Sequence, residues 1–128
     1  MAMVDRASAK VLVVDDASFM RVVLKDILTA NGFQNIIEAA DGAAAISAYQ
    51  QYGPDIITLD INMPVVDGMQ ALRTILQVNP NAKVIMVTSV EQKHIILEAI
   101  KLGARDYIVK PFERNMVATV INRVLRSG

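Results

Sequence analysis

Four short apolar runs punctuate the chain: Val11-Leu12-Val13-Val14, Ile56-Ile57-Thr58-Leu59, Val84-Ile85-Met86-Val87 and Tyr107-Ile108-Val109. A fifth, more polar one spans residues 35–40. Runs this short, with little polar alternation, are the pattern of strands covered on both faces. Between them the apolar positions recur at helical spacing. Met20, Val23, Leu24, Ile27 and Leu28 share one face of a first helix, Arg21, Lys25 and Asp26 lie off it, and Asn31-Gly32 supplies its stop. A second helix is predicted over 42–52. A third opens at Asp67-Gly68, turns Met69, Leu72, Ile75 and Leu76 inward, and stops at Asn79-Pro80. A fourth is expected over about 91–102, ending at Gly103. The last covers about 113–126 and is expected to bury Met116, Val117, Val120, Ile121, Val124 and Leu125.

Strand and helix alternating in this way make an α/β protein with a parallel sheet and helices on both faces. Right-handed crossovers and short connections leave few ways to wind five such units. The common one is the flavodoxin-like, doubly wound (βα)5 fold with strand order 2-1-3-4-5, in which the first and third strands are neighbours. A length of 128 residues, with 53% hydrophobic and 5% aromatic content, suits one domain with an aliphatic core. It is expected over residues 10–126, with loose tails at 1–9 and 127–128.

Charge narrows the function classes. Thirteen basic residues balance 13 acidic ones, and no basic stripe offers the footprint that a phosphate backbone needs, so direct nucleic-acid binding is not expected. The chain has no cysteine, which excludes disulfides and thiolate metal sites. No apolar segment approaches the ~18 residues of a membrane span, and the charged start at Asp5 and Arg6 has no signal-like core. A cytoplasmic monomer is the expectation.

Polar residues stand where the apolar runs stop: Asp15-Asp16 after Val14, Asp60 after Leu59, Thr88-Ser89 after Val87 and Lys110-Pro111 after Val109. Open α/β sheets bind ligands beyond the carboxyl ends of the strands, where the strand order reverses. Three carboxylates within ~5 Å there would repel pairwise by about 3 kcal/mol at an effective dielectric near 20. Lys110 supplies one offsetting cation. The all-oxygen donor set suits Mg²⁺, whereas a chain with no cysteine and only His94 as a nitrogen donor fits zinc or copper badly. Any one of these acids alone would read more simply as a helix cap. His94, among Glu91, Gln92 and Lys93, reads as solvated surface; Met63-Pro64 shapes the loop after Asp60; Lys101, Arg105, Arg114 and Arg123 read as polar sides of helices and turns.

The motifs Val-Leu-Val-Val-Asp15-Asp16-Ala-Ser-Phe-Met-Arg, Asp60-Ile-Asn-Met-Pro with Asp67-Gly68, Val87-Thr88-Ser89 and Gly103-Ala-Arg-Asp-Tyr-Ile-Val-Lys110-Pro-Phe resemble the response regulator receiver domains, from about Lys10 to Arg126. The opening block is most similar to the chemotaxis-type, CheY-like single-domain members. The resemblance implies a two-component signalling switch in which Asp60 accepts a phosphoryl group from a histidine kinase or phosphotransfer protein. It implies Mg²⁺ held by Asp16, Asp60 and the Asn62 carbonyl, with Asp15 acting through a water, and Lys110 as a second cation before a cis peptide bond. Thr88 would turn toward the phosphoryl group and Tyr107 would follow, altering a partner-binding face made of the fourth helix, fifth strand and fifth helix. Asn62 and Val90 would tune dephosphorylation. Val90 stands where faster members carry a carboxylate or amide that orients the attacking water, so slow self-dephosphorylation is expected. Competing readings are the receiver piece of a larger transcription factor or hybrid kinase, and a hydrolase with an aspartyl-phosphate intermediate. The second usually needs another acid where Asn62 stands. A nucleotide-binding domain would need a glycine-rich loop after the first strand, and none is present.

Overall fold

The computed structural model describes residues 5–63 and 66–127. Its elements are β1 (Lys10–Val14), α1 (Ser18–Ala30), β2 (Asn35–Ala39), α2 (Gly42–Tyr52), β3 (Ile56–Asp60), α3 (Gly68–Val78), β4 (Val84–Ser89), a 3-10 turn (Val90–Ile95), α4 (Ile96–Leu102), β5 (Asp106–Lys110) and α5 (Arg114–Arg126). All strand pairs are parallel, and the sheet runs β2-β1-β3-β4-β5, the flavodoxin-like order.

Successive strand residues point to opposite faces, so a strand covered on both sides feeds two cores. Leu12, Ile57, Leu59 and Met86 pack with Ala45 of α2, Leu72 of α3 and Ala99 of α4. Val11, Val13, Ile56 and Ile85 pack on the other face with Leu24 and Ile27 of α1 and Val117 and Ile121 of α5. This two-sidedness is the physical origin of the unbroken apolar runs. Full burial of each such side chain contributes on the order of 1.5–3 kcal/mol.

Helix starts follow their caps. Asp41 accepts from the Ala44 N–H at 2.7 Å to open α2, and Asp67 from the Gln70 N–H at 2.8 Å to open α3; each cap is worth ~1 kcal/mol. The fourth helix departs from expectation. Only Ile96–Leu102 is α-helical, and the turn before it is 3-10. Ser89, the nearest capping residue, is taken up by β4, and Ile95 at the N-cap position makes no side-chain cap, so α4 runs on from the 3-10 turn without a capped start.

Met116, expected to be buried, is 58% exposed. It lies on the rim of α5 beyond edge strand β5, where no further strand covers it, and lines a groove of about 460 Å³ with Tyr107 and Phe112. Of the expected N-terminal tail, residues 5–8 form a turn in which the Ser8 N–H donates to Asp5 Oδ1 at 2.9 Å, and Ala9 joins the α1/α5 core. At the other end the Ser127 hydroxyl donates to the Val124 carbonyl at 2.7 Å.

Candidate functional site: an acidic cluster at the strand ends

Register assembles the site. Val14 pairs with Leu59 across β1 and β3, so the next residues, Asp15 and Asp60, leave the sheet side by side. Ser89 pairs with Lys110 across β4 and β5, which brings the lysine to the same edge. Carboxylate oxygens of Asp15, Asp16 and Asp60 all lie within 4.8 Å of one another. Four residues from three distant segments of the chain thus meet in one cleft, because parallel strands share one carboxyl end.

Burial divides the acids. Asp15 is 1% exposed, Asp60 is 5% exposed, and Asp16 faces solvent. Both oxygens of Asp15 are engaged: Oδ1 accepts from the Ala17 N–H at 2.9 Å and Oδ2 from Lys110 Nζ at 3.0 Å. Asp60 is held more loosely, with Oδ1 accepting from the Asn62 N–H at 3.2 Å and Oδ2 lying 3.5 Å from Lys110 Nζ. Burial, then the neighbouring Asp15 charge, push the Asp60 carboxyl up to about 6, against the opposing pull of Lys110 and the Asn62 N–H. Burial alone would lower Lys110. Its hydrogen bond to Asp15 and the charges of Asp60 and Asp15 outweigh that and hold its ammonium above the ordinary lysine value.

Other expected residues take distinct places. Thr88 is fully buried at the end of β4, but its hydroxyl donates to the Ser89 carbonyl at 3.0 Å rather than to Asp60. Tyr107 is turned outward, 36% exposed. Asn62 is exposed and meets the cluster through its backbone. The Lys110-Pro111 peptide bond is cis. His94 is exposed, as expected. Arg114 and Arg123 pair with Asp26 and Asp106 at 2.9 and 2.6 Å. Pro64 and the Val90 side chain lie outside the described residues.

One contributor was missed in the sequence. Arg21 sits off the apolar face of α1, yet its Nη1 donates to the Asp15 carbonyl at 2.6 Å and its Nε to Glu38 at 3.2 Å. It braces the backbone of the first acid from below. Nothing in its spacing distinguishes it from a solvated helix residue.

The donor set of the cluster is carboxylate oxygen, and a hard divalent cation such as Mg²⁺ fits it. Asp16, unburied and without a hydrogen bond or ion pair among the described residues, is free to coordinate.

A family model described as the response regulator receiver domain matches residues 11–122. The chemotaxis protein CheY of Bacillus subtilis strain 168 is 45% identical over 116 residues, covering 91% of this chain and 97% of that protein. A second protein of that organism, named CcdB, is 51% identical over 116 residues, with coverage of 91% and 97%. Among solved structures, the receiver domain of NtrX from Brucella abortus is similar with a TM-score of 0.88 at 30% identity, covering 93% of this chain and 100% of that one.

Proposed function

The chain belongs to the response regulator receiver domain family, and on that premise we infer that it is a phosphorylation-controlled binding switch whose acceptor is Asp60. The observation that carries the reading is the cleft itself: three carboxylates within 4.8 Å, two of them facing one lysine. Such a cluster disfavours folding unless cations offset its charge, and one lysine facing two of the three acids leaves room for another.

In the proposed reaction an Asp60 oxygen bonds to phosphorus as the P–N bond of a donor phosphohistidine breaks. The electron pair leaves with the imidazole, which takes a proton from solvent. A carboxyl pushed up to about 6 is still mostly ionised near neutrality and poorly stabilised as an anion, which suits a nucleophile. Lys110, already 3.5 Å from Asp60 Oδ2, neutralises charge on the transferred group. Asp16, Asp60 and the Asn62 carbonyl would hold Mg²⁺, with Asp15 reaching it through a water; when bound, it supplies further positive charge at the phosphoryl oxygens. Reversal of the state is hydrolysis: water bonds to phosphorus, the acyl–phosphate P–O bond breaks, and Asp60 and inorganic phosphate are released. The chain assists its own modification and turns over no external substrate.

Output is read from the opposite side of β4 and β5. The Thr88 hydroxyl, now spent on Ser89, would turn to the phosphoryl group, and Tyr107 would move into the space it leaves. The face this alters carries exposed Leu97, Ile100, Tyr107 and Met116, an apolar surface suited to a protein target. A histidine kinase or phosphotransfer protein upstream, a chemotaxis role and a cytoplasmic location complete the proposal; the names of similar proteins support the second. Among the described residues no helix is long and apolar enough to cross a membrane.

Incubation with acetyl phosphate and Mg²⁺, followed by peptide mass analysis, tests the reading. Added phosphoryl mass on Asp60, lost with chelator and in Asp60→Asn, is expected. Mass placed on another residue, or none in the presence of Mg²⁺, overturns it.

A further inference from the structure

Two helix N-termini in this fold begin with a glycine that no backbone conformation requires. Positive φ among the glycines of the described residues is confined to Gly32, Gly53 and Gly103, so Gly42 and Gly68 have ordinary backbone. Alanine would serve the helix better by up to ~1 kcal/mol. What both positions lack is room. A Cβ on Gly68 would run into the Asp60 carbonyl oxygen and stand 2.6 Å from Ile61 Cα. A Cβ on Gly42 would run into the Val66 carbonyl oxygen and stand 2.6 Å from Val66 Cγ1 and 2.8 Å from its Cβ.

The two close approaches are linked in series. Gly42, the buried first residue of α2, abuts Val66; two residues on, Gly68 abuts the peptide that carries Asp60 and donates its N–H to the Ile61 carbonyl at 2.9 Å. Val66 itself packs against the α2/α3/α4 core. Val66 and Gly68 are therefore gripped between the start of α2 and the end of the acceptor strand. Close-packed contacts of this kind transmit displacement, because they have no slack to absorb it.

We propose that Gly42 is a positioning residue for the acidic cleft: through Val66 and Gly68 it fixes the Asp60 peptide and hence the orientation of the Asp60 carboxylate toward Asp15, Asp16 and a bound cation. This rests on the function proposed above. The three atoms nearest a Cβ at Gly42 all belong to Val66, so Gly42 acts through the grip. The amino end of α2 is then coupled to the acceptor site.

The test compares Mg²⁺-dependent shifts of thermal midpoint in the full chain for wild type, Gly42→Ala and Ile121→Val. Ile121 is buried in the opposite core and serves as a control destabilised without disturbing the grip. In Gly42→Ala the Mg²⁺ concentration for half-maximal shift is expected to rise about tenfold, the scale on which groups supporting ligands affect metal affinity, and acetyl-phosphate labelling should slow. Ile121→Val should leave the half-maximal concentration unchanged. Should Gly42→Ala not fold, Val66→Ala loosens the same contact from the other side and carries the same expectation. A half-maximal concentration within about twofold of wild type in whichever variant folds refutes the positioning role. A wild type with neither Mg²⁺ shift nor phosphoryl mass on Asp60 removes the proposed function and this inference together, whereas a responsive wild type with equally responsive variants removes this inference alone.

Discussion

Lys110 stands closer to Asp15 than to the acceptor: its Nζ lies 3.0 Å from Asp15 Oδ2 and 3.5 Å from Asp60 Oδ2. The better hydrogen bond goes to the acid that also takes the Ala17 N–H, so Asp60 remains the less satisfied of the buried pair. Its ionisation is difficult because it is buried beside the Asp15 charge, and a lysine shared with Asp15 offsets only part of that.

Removing that cation should therefore hurt most where both acids are charged. Lys110→Ala is expected to lose about 2 kcal/mol at pH 7.5, below the roughly 3–5 kcal/mol of a fully buried pair because Lys110 is partly exposed. The loss should shrink toward pH 5 as Asp60 takes up a proton. Urea unfolding at the two pH values measures this. Lys110→Arg keeps the charge but not the compact ammonium, and should recover stability without recovering the rate of acetyl-phosphate labelling.

Asp60 itself gives a pH signature. Its folded value of about 6 exceeds the ordinary 3.8, so the folded state holds the proton more tightly than the unfolded chain. Asp60's contribution to stability is fully present below pH ~4 and is lost as pH rises through ~6. With chelator present, the stability of Asp60→Asn relative to wild type is expected to grow by up to about 3 kcal/mol between pH 4 and pH 8. Parallel stability curves for the two proteins across that range would contradict it. Adding Mg²⁺ should narrow the gap at pH 8 by stabilising wild type.

The strand order and the meeting of Asp15, Asp16, Asp60 and Lys110 were legible because they depend on features that sequence records directly: where apolar runs stop, and that parallel strands end on one side. Position along a helix was legible wherever a cap was present, as with Asp41 and Asp67. It failed at the fourth helix, where helical spacing is present but the residue that would cap it is absorbed into β4. Met116 was misread because periodicity reports a helix face and not how far the sheet beneath it extends. The backing of Asp15 by Arg21, and the grip on Val66, arise from three-dimensional proximity between elements with no shared pattern. Only the recurring Asp-Gly pair at two helix starts hints at the second.

Asp16 differs from its neighbours in facing solvent, so its repulsion is screened and its removal should gain little. Asp16→Asn is expected to change stability in chelator by less than about 1 kcal/mol, the range of exposed charge interactions. The same substitution should abolish most of the Mg²⁺-dependent rise in thermal midpoint, since Asp16 offers the most accessible carboxylate in the cluster. Undiminished stabilisation by Mg²⁺ in Asp16→Asn would remove it from the ligand set.

Thr58 offers a change that should help the fold and leave the chemistry alone. It is fully buried in β3, and its Oγ1 is the one buried side-chain polar atom among the described residues without a hydrogen-bond partner. Strand alternation puts it on the same face as Ile56, and register sets it between Val13 and Ile85, both in the α1/α5 core. A hydroxyl there has lost its water and found nothing in return, a penalty of about 1–3 kcal/mol. Valine has nearly the same shape and carries a methyl in place of the hydroxyl. Thr58→Val is therefore expected to raise stability by about 1 kcal/mol in urea unfolding, with Mg²⁺ response and labelling of Asp60 unchanged, because the side chain lies one full strand repeat below the acceptor. A destabilised variant would show instead that an internal water satisfies the hydroxyl, and a labelling rate that fell while stability rose would place Thr58 within reach of the acceptor's hydrogen-bond network.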